Sequence, residues 1–195
     1  MRMYFGADDE QAGFTSRAYR DMSRTLHGLS ERGNKHILKA KAAKALRTAL
    51  NHLVSLRLPR QPARMEIRFD AWHREACANL IGAFHPFPCH YGQAQKWLNM
   101  TVKYRWFFSP NDELWKWHSV AHVPVDDFVL RAAKRLGIPP RVKKAWSRWQ
   151  QEEYETFQNN VRIYARKHQQ TPLAIEHSWW MDQSHKVINL RAENA

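Results

Sequence analysis

The stretch NKHILKAKAAKALRTALNHLVSLR, residues 34–57, carries apolar side chains at Ile37, Leu38, Ala42, Ala45, Leu46, Ala49 and Leu53, with Lys39, Lys41 and Lys44 between them. Steps of three and four are the repeat of an α-helix with one buried face. The same repeat runs through DEQAGFTSRAYRDMSRTLHGL, EIRFDAWHREACANLIGAF, QAQKWLNMTVKYRWFF, VDDFVLRAAKRLG, RVKKAWSRWQQEEYETFQNNVRIYARK and a last segment starting at TPLAIEHSWWM. LPRQPAR and HPFPCHYG are too rich in proline to continue a helix, and SPNDELWKWHSVAHVP reads as irregular. Alternation of the kind a half-buried strand needs is nearly missing. The expected fold class is therefore all-α and compact, without internal repeats. Residues 1–60 supply N-terminal helices that belong to the same fold or form a small subdomain, and 61–195 form the core. The closing RAENA is expected to fray.

Hydrophobic residues make up 44% of the 195, enough to bury a real core. Lys and Arg outnumber Asp and Glu by 31 to 18, a formal net charge of +13, which points to a polyanionic partner because each neutralised phosphate releases counterions. Nine Trp are interleaved with the cations, a combination suited to bases and sugar-phosphate backbone. No apolar run is long enough to span a bilayer. Two cysteines and a polar start, MRMYFGADDE, fit a reducing cytoplasm, and a monomer is expected.

The segment HVPVDDFVLRAAKRLGIP sets two acids at the head of a helix in a basic chain. Asp126 is a natural N-cap, its short side chain accepting from the first turn's orphan N–H groups, and Gly137 is a natural stop. Thirty residues upstream, PCHYGQAQKWLNMTVKY holds a single glycine, Gly92, followed by a helix that carries Lys96 near its start.

A glycine bend, a lysine in the next helix and an aspartate opening a later PVD helix that runs to RLG resemble the helix-hairpin-helix DNA glycosylases. The QKWLNMTVKY helix and the lysine-to-aspartate separation look most similar to the archaeal-type 8-oxoguanine glycosylase branch. The likeness covers about 88–180, half the chain. The usual hairpin has two glycines where CHYGQ keeps Gly92 alone, the four-cysteine iron-sulfur motif of some relatives is missing, and Asp127 and Phe128 stand where Thr-His often follows the aspartate. The resemblance implies a nucleophile at Lys96, an acid/base and cation stabiliser at Asp126, and a base pocket built from Glu176, Trp180 and Met100. It also implies backbone contacts from His90, Tyr91, Gly92 and Gln93, and the basic residues Lys143, Lys144 and Arg148 are candidates for phosphate. The partner would be double-stranded DNA with a flipped base, and no cofactor or metal is required.

Such an enzyme attacks the sugar C1′ with a neutral amine, expels the base and, when bifunctional, cuts the strand from the Schiff base. A free lysine titrates at about 10.4, so a neutral amine costs about 4.6 kcal/mol at pH 7. A helix start and apolar neighbours such as Trp97 and Leu98 disfavour an ammonium, and a carboxylate in reach can take the proton. The excised base would be oxidised guanine, in repair, or a bulky modified base such as a phage's modified cytosine, in defence.

Other readings compete. His73, Cys77, His85, Cys89 and His90 could in principle hold zinc, at a spacing that matches no familiar finger. Arginine followed four to six residues on by histidine, the mark of all-α HEPN ribonucleases, occurs in RTALNH (Arg47, His52), RFDAWH and RIYARKH. A helical protein that binds DNA without chemistry is the third alternative.

Overall fold

A computed structural model describes residues 10–109, 111–140 and 142–181, so the RAENA end lies outside the described residues. It is all-α, with no strand among the described residues: α1 (Glu10–Ser23), α2 (Lys35–Ser55), α3 (Pro62–Phe84), α4 (Tyr91–Phe108), a 3₁₀ turn (Glu113–Trp117), α5 (Asp127–Arg135), a second 3₁₀ turn (Trp146–Arg148), α6 (Gln151–Lys167) and a helical stretch over 172–181, α7. No helix among the described residues is long and apolar enough to cross a membrane.

The helices follow the apolar repeat, with local corrections at their ends. α1 stops at Ser23, six residues before the expected Leu29, in turns that lead to Gly28 at φ 83°. α3 starts inside the proline linker, because Pro62 sits at the first helical position, where its missing N–H is no loss. The long helix expected from Arg141 begins only at Gln151, since buried Trp146 and Trp149 draw the preceding chain into a 3₁₀ turn.

α4 is the axis of the molecule, buried on all sides from Tyr91 to Thr101. α1 lies along it, with Trp97 Nε1 donating to the Thr15 carbonyl (2.9 Å) and Tyr19 edge-on to Trp97. α2 packs on α3, where Trp72 Nε1 donates to the Ala49 carbonyl (2.8 Å). Phe14, Met22, Leu46 and Leu53 of the first two helices share one apolar cluster with Phe69, Leu80, Trp97 and Trp117. α6 runs antiparallel to α3, the pairs Glu66–Arg166, Asp70–Arg162 and Arg74–Glu155 marking the register.

Between α3, α4 and α6 lies a chain of polar side chains with a single consistent proton order. Asp70 is acceptor-only, so the 2.9 Å contact to His122 makes Nε2 the donor, and His122 Nδ1 then accepts from Tyr154 Oη (2.9 Å). Tyr154 accepts from Asn99 Nδ2 (2.7 Å), Asn99 Oδ1 from His73 Nε2 (3.0 Å), and His73 Nδ1 from Tyr91 Oη (3.1 Å). Arg162 closes the far end with two bonds to Asp70 (2.7 and 2.8 Å). Both histidines must be neutral for this order to hold. Burial depresses both, His122 to about 4 against the opposing pull of Asp70.

Acid should therefore unfold the protein early. Between about pH 6.5 and 4 the unfolded His122 binds a proton that the folded one refuses, so stability is complete above that window and falls through it. The slope is about 1.4 kcal/mol per pH unit, roughly 3 kcal/mol from this residue, with His73 acting in the same direction. Burial raises the carboxyl of Asp70, but His122 and Arg162 outweigh it and hold the group far below the ordinary range, so the loss continues below pH 4. Urea midpoints at pH 7 and pH 4.5 check this; equal midpoints would refute it.

Candidate functional site

The segment before α5 is extended and buried, and side-chain amides satisfy its backbone. Gln95 Oε1 accepts from Val125 N (3.2 Å) while its Nε2 donates to the carbonyls of Val125 (3.0 Å) and Gly92 (2.8 Å). Gln158 does the same for Val123, accepting from its N–H (3.1 Å) and donating to its carbonyl (2.8 Å). The chain thus enters α5 in a fixed line, directly against the first half of α4.

Asp126 is the N-cap of α5, its Oδ1 accepting from Val129 N at 2.8 Å. Its other oxygen, Oδ2, accepts from Lys96 Nζ at 2.7 Å. The capping role expected for this aspartate is filled by one oxygen, and the other is paired with Lys96. α5 ends as expected at Gly137 (φ 76°), where Ile138 N donates to the Ala133 carbonyl and Gly137 N to that of Lys134. Burial raises the Asp126 carboxyl, but the charge and hydrogen bond of Lys96, the Val129 N–H and the charge of Lys103 together bring it below the ordinary value, so it is a carboxylate at neutral pH. The Lys96 side chain is 6% exposed and that of Asp126 29%, so the pair is approached from the aspartate side. Lys96 is the sixth residue of α4, beyond the first turn in which a helix end exerts its field, so the expected help from the helix start does not reach it.

Lys96, Met100 and Lys103 follow at steps of four and three, one side of α4. Lys103 Nζ donates to both oxygens of Glu176 on α7, at 2.7 and 2.5 Å. Two ion pairs therefore stand about 10 Å apart along the helix axis, with buried Met100 between them. This corrects the expectation for Glu176: at 3% exposure, with both oxygens held by Lys103, its carboxylate offers no open acceptor to a base. Trp180, four residues on, is 50% exposed, at the surface and not in a closed pocket. Lys103 itself was not anticipated, because nothing in VKYRWFF distinguishes it from a solvated lysine.

The hairpin around Gly92 is also corrected. Gly92 is the second residue of α4, and its N–H donates to the Trp149 carbonyl at 3.0 Å. A Cβ there would stand 1.8 Å from the Trp146 carbonyl oxygen. The glycine serves close packing of α4 on the 3₁₀ turn, and its amide is not offered to phosphate. Tyr91 and Gln93 are buried too, Tyr91 bonding His73 and Gln93 bridging the His90 N–H and the Thr25 carbonyl. Half-buried His90 and exposed Arg148 and Lys144 instead line one cleft of about 530 Å³ with Thr25, His27 and Ser147. Lys144 there also pairs with Glu153 (2.7 Å), and Lys143 is exposed outside the cleft lining.

The zinc set and two of the three Arg–His pairs do not assemble, while Arg47 and His52 are both exposed. His73 gives both ring nitrogens to Tyr91 and Asn99, and no group of three or more His, Cys, Asp or Glu among the described residues is placed to hold a metal. Arg68 faces solvent and bonds the Arg57 carbonyl while His73 is buried, and Arg162 is held by Asp70. No family model, curated protein or solved structure matches the chain.

Gly92→Ala is expected to cost about 2–3 kcal/mol, because the obstruction is backbone and cannot rotate aside. For a chain of this size that lowers Tm by about 5–10 °C. Thermal unfolding followed by circular dichroism measures it, and an unchanged Tm would contradict the packing described.

Proposed function

We propose that the protein is a DNA glycosylase, with Lys96 as nucleophile and Asp126 as its proton acceptor and the stabiliser of the cationic sugar. The observation that supports this most directly is the 2.7 Å contact between Lys96 Nζ and Asp126 Oδ2 at the head of α5. For the amine to attack C1′ its proton has to leave, and Asp126 Oδ2 is the base within reach. The same carboxylate, ionised and partly exposed, then faces the positive charge that develops on the sugar as the base departs. The cleft of His90, Lys144 and Arg148 at the start of α4 suits the phosphate backbone of the flipped nucleotide's strand. Oxidised guanine or a phage-modified cytosine is the substrate class this reading carries over, and strand cleavage follows when the Schiff base undergoes β-elimination.

A second reading is a helical DNA-binding protein without chemistry, favoured by the burial of Lys96, which suits a structural tie between α4 and α5 as well as a nucleophile.

Borohydride trapping on duplex oligonucleotides carrying 8-oxoguanine or modified cytosines separates the two. A covalent adduct that vanishes in Lys96→Gln, with base release falling by about 10²–10⁴ in Asp126→Asn, is the expected result. Alkali-labile abasic sites without an adduct would make the enzyme monofunctional. Binding without base release would establish the second reading, and RNA cleavage lost in His52→Ala would replace both with a ribonuclease.

A further inference from the structure

The loop between α2 and α3 and the first turns of α3 enclose a cleft of about 930 Å³ lined by Arg57, Leu58, Arg60, Arg64, Ile67 and Arg68, among others. All four arginines are exposed. Among the described residues none has a carboxylate partner: Glu66 pairs with Arg166 and Asp70 with Arg162 and His122 on the other side of the helix, and Glu75, on the same side about two turns beyond Arg68, is not in the cleft lining. Arg68 Nη1 donates to the Arg57 carbonyl (2.8 Å), which ties the loop to the helix and sets the mouth of the cleft. Ile67, 68% exposed, stands between Arg64 and Arg68 in sequence.

We propose that this cleft is a second binding site for the phosphate backbone of DNA, separate from the one at the start of α4. Four like charges gathered in one concavity without counter-charge are matched by a polyanion. Guanidinium forks meet phosphate oxygens two at a time, which an ammonium does not. Arg64 and Arg68 are one turn apart, about 6 Å along the helix, close to the rise of two phosphates of one strand, about 3.4 Å each along the duplex axis. A concave wall between loop and helix fits a strand and does not fit a flat bilayer. Because α3 and α6 are antiparallel, this cleft is level with the Arg166 end of α6 but on the side of α3 away from Glu66, whereas Lys144 and Glu153 lie at the other end of α6, about 20 Å away along the axis. The choice of DNA as the polyanion rests on the function proposed above.

Fluorescence anisotropy on an unmodified labelled duplex long enough to reach both clefts, with the full chain at about 50 to 200 mM salt, tests the site. Arg64→Ala/Arg68→Ala is expected to bind about tenfold more weakly at low salt and to flatten the slope of log K against log salt by about 2, at 0.9 per phosphate. Arg64→Lys/Arg68→Lys should keep the slope. An alanine variant with wild-type affinity and slope overturns the proposal, as does binding of the wild type, lost in the variant, to phosphatidylserine vesicles with the DNA slope unchanged. Failure of the wild type to bind any duplex removes this site and the glycosylase together. A slope difference that persists in a protein releasing no base from any oligonucleotide supports the cleft and overturns only the chemistry.

Discussion

An extended chain in the middle of a helical protein has no ladder partner for its peptide groups, and each group left unpaired there costs about 1–3 kcal/mol. Residues 120–125 meet that constraint through side chains: Gln95 for Val125, Gln158 for Val123, and Arg162 for the Val120 carbonyl. These amides come from α4 and α6, so satisfying the segment also fixes the two helices to it. The direction in which α5 departs, and hence where Asp126 lies, follows from that clamp. The histidine and tyrosine chain beside it completes the wall. Its histidines, tyrosines and Asn99 each have a partner, while the Nε of Arg162 at its far end is buried without one, and a chain so connected favours one arrangement of the core.

The two lysine–carboxylate pairs are a different matter. Burying both members of an ion pair gives little net stability, since lost hydration offsets the attraction, yet removing one member leaves a stranded charge. Lys96–Asp126 and Lys103–Glu176 occupy neighbouring positions on the one helix that is buried all round. Hydrophobic residues would have filled the same volume at no loss. Both pairs lie on one side of α4, with Lys103 close enough to influence the Asp126 carboxyl.

The helices were legible because each turns an apolar stripe inward, and the Asp126 cap and Gly137 stop because short-range backbone needs select those residue types. The pairing of Lys96 with Asp126 came from a pattern across thirty residues, and the geometry places the two groups in contact. What remained hidden depends on distant partners. Gly92 looks like a bend residue until Trp146 is seen against it. Glu176 looks like an open acceptor until Lys103 arrives from another helix. Residues 142–150 have helical composition, and the burial of Trp146 and Trp149 goes with a 3₁₀ turn at Trp146–Arg148 instead. Gln95 and Asn99, polar in the middle of a buried helix, were the available sign of a polar interior and were read as ordinary helix residues.

Asp126 is anchored by the helix it begins. One oxygen is committed to the Val129 amide, so the carboxylate cannot swing without undoing the first turn of α5. Lys96 has no such tether at its tip beyond the aspartate itself, and four methylenes on which to pivot. When the pair separates, the acid stays in place and the amine travels. The carboxylate is thus the fixed member of the pair and the lysine the movable one.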